Sequence, residues 1–199
     1  MAESLRNLKS KHQLIVMVTP QVTKREIFAC LGATVIGKAT RIPPTHTISE
    51  QPIIEVPSHV QLEHEWWAPS FTKLQLWNLI QYKKLIWIDG DSIIMQNIDD
   101  LFQFEELSGA QDFYNGEKVK GKICGGLMVT APSLKSYHEM ISLLYNDTSK
   151  IWKGGEQELV SYYFNQNSKV TILETYWSTF INPFCPDVEN QKIGHWTHW

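Results

Sequence analysis

The hydrophobic and polar positions of this chain switch repeatedly between a helical period and near-continuous apolar runs. Residues 2–9 place Leu5 and Leu8 on one helical face, and the run LIVMVT that begins at Leu14 has the look of a buried strand. KREIFACL, from Lys24, has helical spacing; GATVIG, from Gly32, is a short strand candidate bounded by glycines. Residues 41–69 carry five prolines and no sustained period, which predicts a long irregular excursion. SFTKLQLWNLIQY then gives the clearest helical pattern, with Ser70 able to cap it and Phe71, Leu74, Trp77, Leu79 and Ile80 forming an apolar stripe. KKLIWI and GGLMVTAP predict two further buried strands, SLKSYHEMISLLYN a helix opening at Ser133, and GEQELVSYYF another helix. Strands alternating with helices define an α/β class, with a mainly parallel central sheet flanked by helices.

Composition narrows the class. With 199 residues, 43% of them hydrophobic and 20% charged, the chain suits one well-buried domain over 1–199. A formal charge of -3 supplies no basic field for nucleic acid. Cys30, Cys124 and Cys185 are far apart and form no C-x-x-C pair, which argues against a disulfide framework or a zinc knuckle and fits a reducing, cytoplasmic setting. The apolar run at Leu14–Val18 is too short for a signal-peptide core or a membrane segment.

The stretch KKLIWIDGDSIIMQNIDDLF concentrates the candidate chemistry. Asp89 and Asp91 follow a buried strand, and ligands of open α/β sheets gather beyond the carboxyl ends of strands. In extended backbone, residues i and i+2 point to the same side, so both carboxylates can converge while Gly90 permits close approach of the main chain. Two carboxylates held together repel unless a cation joins them, and hard oxygen donors suit Mg²⁺ or Mn²⁺. An Asp-Gly between LIWI and SIIM is equally a good hairpin turn. The residues of this stretch alone leave both alternatives open.

Residues 71–112, FTKLQLWNLIQYKKLIWIDGDSIIMQNIDDLFQFEELSGAQD, resemble the glycogenin-like branch of family 8 glycosyltransferases, which have the GT-A fold, a Rossmann-like nucleotide-sugar-binding domain. The resemblance continues in HQLIVMVTPQV, GGLMVTAPS, GGEQELVSYYF and the terminal GHWTHW, and so spans nearly the whole chain. It implies a metal-dependent retaining transferase that moves a hexose from a nucleoside diphosphate sugar, UDP-glucose being the example, to a glycan or glycoprotein acceptor. It further implies that Asp89 and Asp91 form the D-x-D pair and that His195 completes the site for Mn²⁺ or Mg²⁺. Taken alone, a histidine so near the end of a chain is more often a surface or packed residue. By the same resemblance Lys73 lies near the donor, Gln157 and Glu156 stand for the D-Q motif near the anomeric carbon, and Asn182 lies near the sugar or acceptor. Gly90, Cys124, Gly125 and Gly126 complete the implied donor-binding set.

Several positions depart from the family pattern. Cys124 replaces the asparagine of its FNSG or FNAG block, Glu156 replaces the D-Q aspartate, and His198 is the nearest substitute for the lysine of its terminal KPW. The chain also begins within the helix that follows the family's first strand, so the domain is expected to lack that strand. No segment matches the self-glucosylated tyrosine region. These departures keep open a non-catalytic sugar-binding module of the same fold. LIWIDGDSII also resembles the D-x-D-x-[TV] signature of haloacid dehalogenase-type phosphatases, in which the first aspartate is a nucleophile. Among eight tryptophans, Trp77 and Trp87 fall on core-facing positions, whereas Trp66 and Trp67 sit in the polar excursion as candidates for an acceptor platform.

Overall fold

The computed structural model describes residues 2–23, 33–35, 46–114, 117–167, 170–174, 177, 179–181 and 192–196. After a short helix α1 (Ala2–Asn7), strand β1 (Leu14–Val18) pairs in parallel with β3 (His46–Glu50), which also pairs in parallel with β2 (Ala33–Val35). Strand β3 lies inside the excursion expected to be irregular. Its sequence HTISE has a single large apolar residue and gives no strand signal; hydrogen bonding on both of its edges holds it extended. The KREIFACL helix expectation lies outside the described residues.

A four-stranded sheet of order β4-β7-β6-β8 forms the centre, from β4 (Leu85–Ile88), β6 (Ser108–Tyr114), β7 (Glu117–Thr130) and β8 (Thr171–Ile172). Strand β7 runs antiparallel to both β4 and β6, and β8 is parallel to β6. The mainly parallel pairing expected of the central sheet holds in the first sheet, whereas the central one is mixed, because β7 runs antiparallel to both of its neighbours. Two short strands complete a third sheet with β5 (Ser92–Ile94): β9 (Thr179–Ile181) and β10 (Ile193–Trp196), in the order β5-β10-β9.

Strands β4 and β7 are apolar on both faces because each is covered on both. Leu85 and Trp87 pack with Ile123 and Met128 into a cluster that includes Phe71, Leu74, Trp77, Met140, Leu144 and Leu159. Ile86 and Ile88 point the other way with Cys124, Leu127 and Val129, toward Ile94, Leu101 and Ile193. Layers on both sides of a sheet are the arrangement that near-continuous apolar strands imply.

The helix expected from Ser70 begins at Glu65, ends at Asn78 and has 3-10 geometry over its 14 residues. Three residues per turn align positions i, i+3 and i+6 on one edge, and Phe71, Leu74 and Trp77 form such a row, each with no exposed surface. Ser70 does not cap it: its hydroxyl donates to the Trp67 carbonyl at 2.6 Å, one turn inside. The stripe also ends sooner than expected, with Leu79 buried and Ile80 57% exposed. Helix α2 (Leu134–Asn146) opens as expected at Ser133, whose hydroxyl accepts from the Ser136 amide, and α3 (Glu156–Asn167) follows. No helix among the described residues is long and apolar enough to cross a membrane.

Candidate active site

The Asp-Gly-Asp stretch is not a hairpin. Although the Ser92 amide donates to the Asp89 carbonyl at 3.1 Å, the strands on either side of this turn never pair: β4 hydrogen-bonds to β7, and β5 to β10. The turn is where the chain leaves one sheet for another, with the two aspartates at the carboxyl end of β4. The Asp89 amide extends the β4–β7 pairing by donating to the Gly126 carbonyl at 3.0 Å.

Lys73 organises what lies beside it. Its ammonium sits 2.9 Å from Asp89 Oδ1, 3.0 Å from Glu156 Oε1 and 3.2 Å from the Gly125 carbonyl oxygen. The three side chains are 14%, 23% and 6% exposed, so this is a largely desolvated cluster in which one cation bridges two carboxylates. Burial pulls the lysine pKa down, but Glu156 and Asp89 outweigh burial and hold it above the usual lysine value. Trp87 turns its indole N–H back onto Asp89 Oδ1 at 2.6 Å, fixing that carboxylate from a second side. A solvated helix position, the ordinary role of an isolated lysine, does not describe Lys73.

Gly125 is required by this convergence. A Cβ at this position would stand 2.5 Å from Glu156 Oε1, 3.4 Å from the Lys73 ammonium and 3.5 Å from Gln157 Cβ. Its amide donates to Gln157 Oε1 at 2.9 Å, and the other end of that side-chain amide donates to Asp112 Oδ2 at 3.3 Å. Burial raises the Asp112 carboxyl above its ordinary range, against the opposing pull of the Phe113 amide and Lys122. Asp112 is a site residue to which no pattern in the sequence assigns a role. Only the β6–β7 pairing, which brings Asp112 within reach of the start of α3, reveals it. Gly90, by contrast, meets nothing within 4 Å at its Cβ position, so its surroundings within the protein are open. Cys124 is buried, and burial pushes its thiol up to about 12, leaving an inert apolar contact where the family has an amide.

The other side of the turn is open. Asp91 is exposed, and the antiparallel register of β10 on β5 sets His195 opposite Ser92, one residue along from Asp91. More than a hundred residues of sequence separation are closed by that pairing. The Ser92 side chain is buried, and its hydroxyl has no hydrogen-bond partner among the described residues. Carboxylate and imidazole are donor types that a divalent cation accepts, and the register of β10 on β5 brings the backbones that carry Asp91 and His195 together. No trio of metal-ligating side chains converges among the described residues, a set to which the His195 side chain does not belong. Asn182 lies outside them as well.

No protein-family model matches the chain. Rabbit (Oryctolagus cuniculus) glycogenin-1 is 29% identical over 174 residues, which cover 83% of this chain and 45% of that protein. Glycogenin-1 of Homo sapiens is 28% identical, with 83% and 43% covered, and galactinol synthase 3 of Arabidopsis thaliana 29% identical, with 53% and 29% covered. The galactosyltransferase LgtC, solved with donor and acceptor sugar analogues, superposes with a TM-score of 0.63 over 99% of this chain and 81% of its own at 12% identity. Apo mouse xyloside xylosyltransferase 1 gives 0.55 at 12% identity, covering 92% and 83%. The architecture is therefore that of the GT-A glycosyltransferases, and it sets aside the haloacid dehalogenase-type alternative. The resemblance to the glycogenin-like branch of family 8, first read from the residues, is borne out. The chain spans less than half the length of the glycogenins it matches.

Proposed function

We propose that the chain is a single-domain, metal-dependent retaining glycosyltransferase that takes a hexose from a nucleoside diphosphate sugar, UDP-glucose first among candidates, and passes it to a glycan or protein acceptor. The observation that carries this reading is the buried Lys73 ammonium bridging Asp89 and Glu156, at the point where Asp-Gly-Asp leaves the central sheet. The spacing of its cysteines suits work in the cytoplasm.

Cleaving the bond between the anomeric carbon and the phosphate oxygen builds negative charge on the diphosphate and oxocarbenium character on the ring. Mn²⁺ or Mg²⁺ held by Asp89, Asp91 and His195 would supply Lewis-acid stabilisation of that leaving group. The remaining work belongs to the chain. Lys73 contributes positive charge and no proton, because its raised pKa keeps it an ammonium at working pH. Gln157, locked between the Gly125 amide and Asp112, presents a fixed polar group to the sugar. Glu156 and Asp112 give that side of the site the negative potential that a developing ring cation favours. Gly126, Cys124 and Asn182 would line the donor. Retention makes the new linkage α when the donor is α-linked.

A non-catalytic sugar-binding module is the second reading, favoured by the inert thiol at Cys124. UDP release from UDP-glucose in the presence of Mn²⁺ separates the two. Turnover should disappear with EDTA and fall ~100-fold or more in Asp91→Asn. Intact mass should stay constant, since no self-glucosylated segment is recognisable; gain of whole hexose units would overturn the separate-acceptor reading. Binding without any UDP release, with a full panel of acceptors present, would favour the module.

A further inference from the structure

The start of the 3-10 helix carries an aromatic corner that the donor site does not use. Trp66 is 67% exposed, the most exposed large apolar side chain among the described residues. The ring is nonetheless braced. It stacks on His64, with centroids 5.6 Å apart and planes at 18°, and meets the edge of Trp67 at 5.5 Å. Trp67 in turn contacts His64 edge-on at 4.7 Å. The sequence pattern assigns these residues to an irregular loop; the structure puts both tryptophans in the first turn of a regular element, where their spacing to Lys73 becomes fixed.

With three residues per turn, Trp67, Ser70 and Lys73 line one edge of that helix, parallel to the buried Phe71–Leu74–Trp77 row. This edge faces the entry to α3. A Cβ on Gly155 would lie 3.5 Å from Ser70 Oγ and 3.8 Å from Trp67 Cβ, and the next residue, Glu156, meets Lys73. The Glu63 amide donates to the Lys153 carbonyl at 3.0 Å, tying the approach to the helix to the same loop. Trp67 thus stands six residues along this edge from Lys73, roughly 12 Å at about 2 Å per residue, and Trp66, on the neighbouring edge, packs against it. That is the reach of a short oligosaccharide.

We propose that Trp66, braced by His64 and Trp67, is an acceptor-saccharide platform that stacks the C–H face of a hexose unit remote from the one that receives the transferred sugar. The proposal deepens the transferase reading and rests on it. A rigid indole offers a flat apolar face, and Glu63 and Glu65, exposed and close to it in sequence, supply carboxylates able to accept from hydroxyl groups. Cores of protein interfaces are depleted in acidic residues, so a polyhydroxylated ligand fits this corner better than a protein partner.

The test compares the unmodified chain with Trp66→Ala and Trp66→Tyr, supplied with UDP-glucose and Mn²⁺ and a series of gluco- and galacto-oligosaccharides of increasing length. Acceptor KM should fall with length in the parent, rise about tenfold for the longer acceptors in Trp66→Ala, and recover in part in Trp66→Tyr. Donor hydrolysis without acceptor should stay within about twofold. Equal loss of hydrolysis and transfer, or an acceptor KM indifferent to the substitution, would overturn the platform. Saturation-transfer NMR with the same oligosaccharides, without donor, separates this idea from the transferase reading. If the parent turns over no donor yet binds the oligosaccharides in a Trp66-dependent way, the platform stands and the transferase reading falls. If the parent binds none of them, or Trp66 is needed only for a protein bait, the platform falls.

Discussion

The two aspartates of Asp-Gly-Asp lie two residues apart and live in different worlds. Asp89 belongs to a braced half, pinned by Lys73, by the Trp87 indole and, through its backbone, by Gly126, with Glu156, Gln157 and Asp112 locked around it. Asp91 belongs to an open half, exposed on the turn, with His195 brought near by strand pairing and a buried Ser92 hydroxyl lacking a partner among the described residues. The difference teaches how one site can combine rigidity with dependence on a ligand. On the proposed function the braced half, built in folding, would present fixed charge to a sugar, and the open half would gain its order from what binds there.

The largest way to break this contrast is Lys73→Met. Removing the shared cation leaves Asp89 and Glu156 facing each other in a desolvated place, and stability to urea should fall by about 3–5 kcal/mol. Adding Glu156→Gln should recover part of that loss, a coupling that identifies the pair as the cause. Because the folded lysine titrates above its unfolded value, the contribution is complete below the ordinary lysine range and is lost only as pH rises through the folded pKa. The gap between parent and Lys73→Met should therefore be flat from roughly pH 6 to pH 9. A gap that closes within that window would contradict a charged, buried lysine.

Gly125→Ala comes next. Its new methyl meets Glu156 Oε1 at 2.5 Å, so the carboxylate must shift away from Lys73, at a cost of about 1–3 kcal/mol. Donor turnover should fall further than stability does, since Gln157 hangs on the same amide. Trp87→Phe keeps most of the packing and removes one charge-assisted hydrogen bond to Asp89; chemical denaturation should register about 1.5 kcal/mol. Asp91→Asn should be smallest of all, within about 0.5 kcal/mol, because it sits exposed on the turn. A large loss there would move Asp91 into the braced half.

The braced half is partly legible in the amino-acid sequence, and the reason is its periodicity. LIWI and GGLMVT announce strands buried on both faces, and Ser133 announces its helix by an ordinary cap. Lys73, Asp89 and Gln157 can be nominated by resemblance, but their joining cannot, because it depends on β4 lying beside β7. The 3-10 helix misleads because a stripe at 71, 74 and 77 satisfies a period of 3.0 as well as 3.6, and the choice moves Trp66 and Trp67 from loop to helix. Asp112 and β3 leave no local signal, since each acquires its role from a partner distant in sequence. The hairpin alternative at Asp-Gly is locally sound and loses to long-range pairing of β5 with β10.

The most direct test of the two-half account is the melting temperature of the parent and of Asp91→Asn, each with Mn²⁺ alone, UDP-glucose alone, both together, and both with excess EDTA. Without ligand the two proteins should melt together. The parent should rise clearly only when cation and donor are both present, by the mass-action stabilisation of the native state, and EDTA should abolish the rise. Asp91→Asn should show no rise in any condition. An equal rise in the variant, or a rise in the parent that survives EDTA, would contradict a cation-dependent open half beside a preformed one.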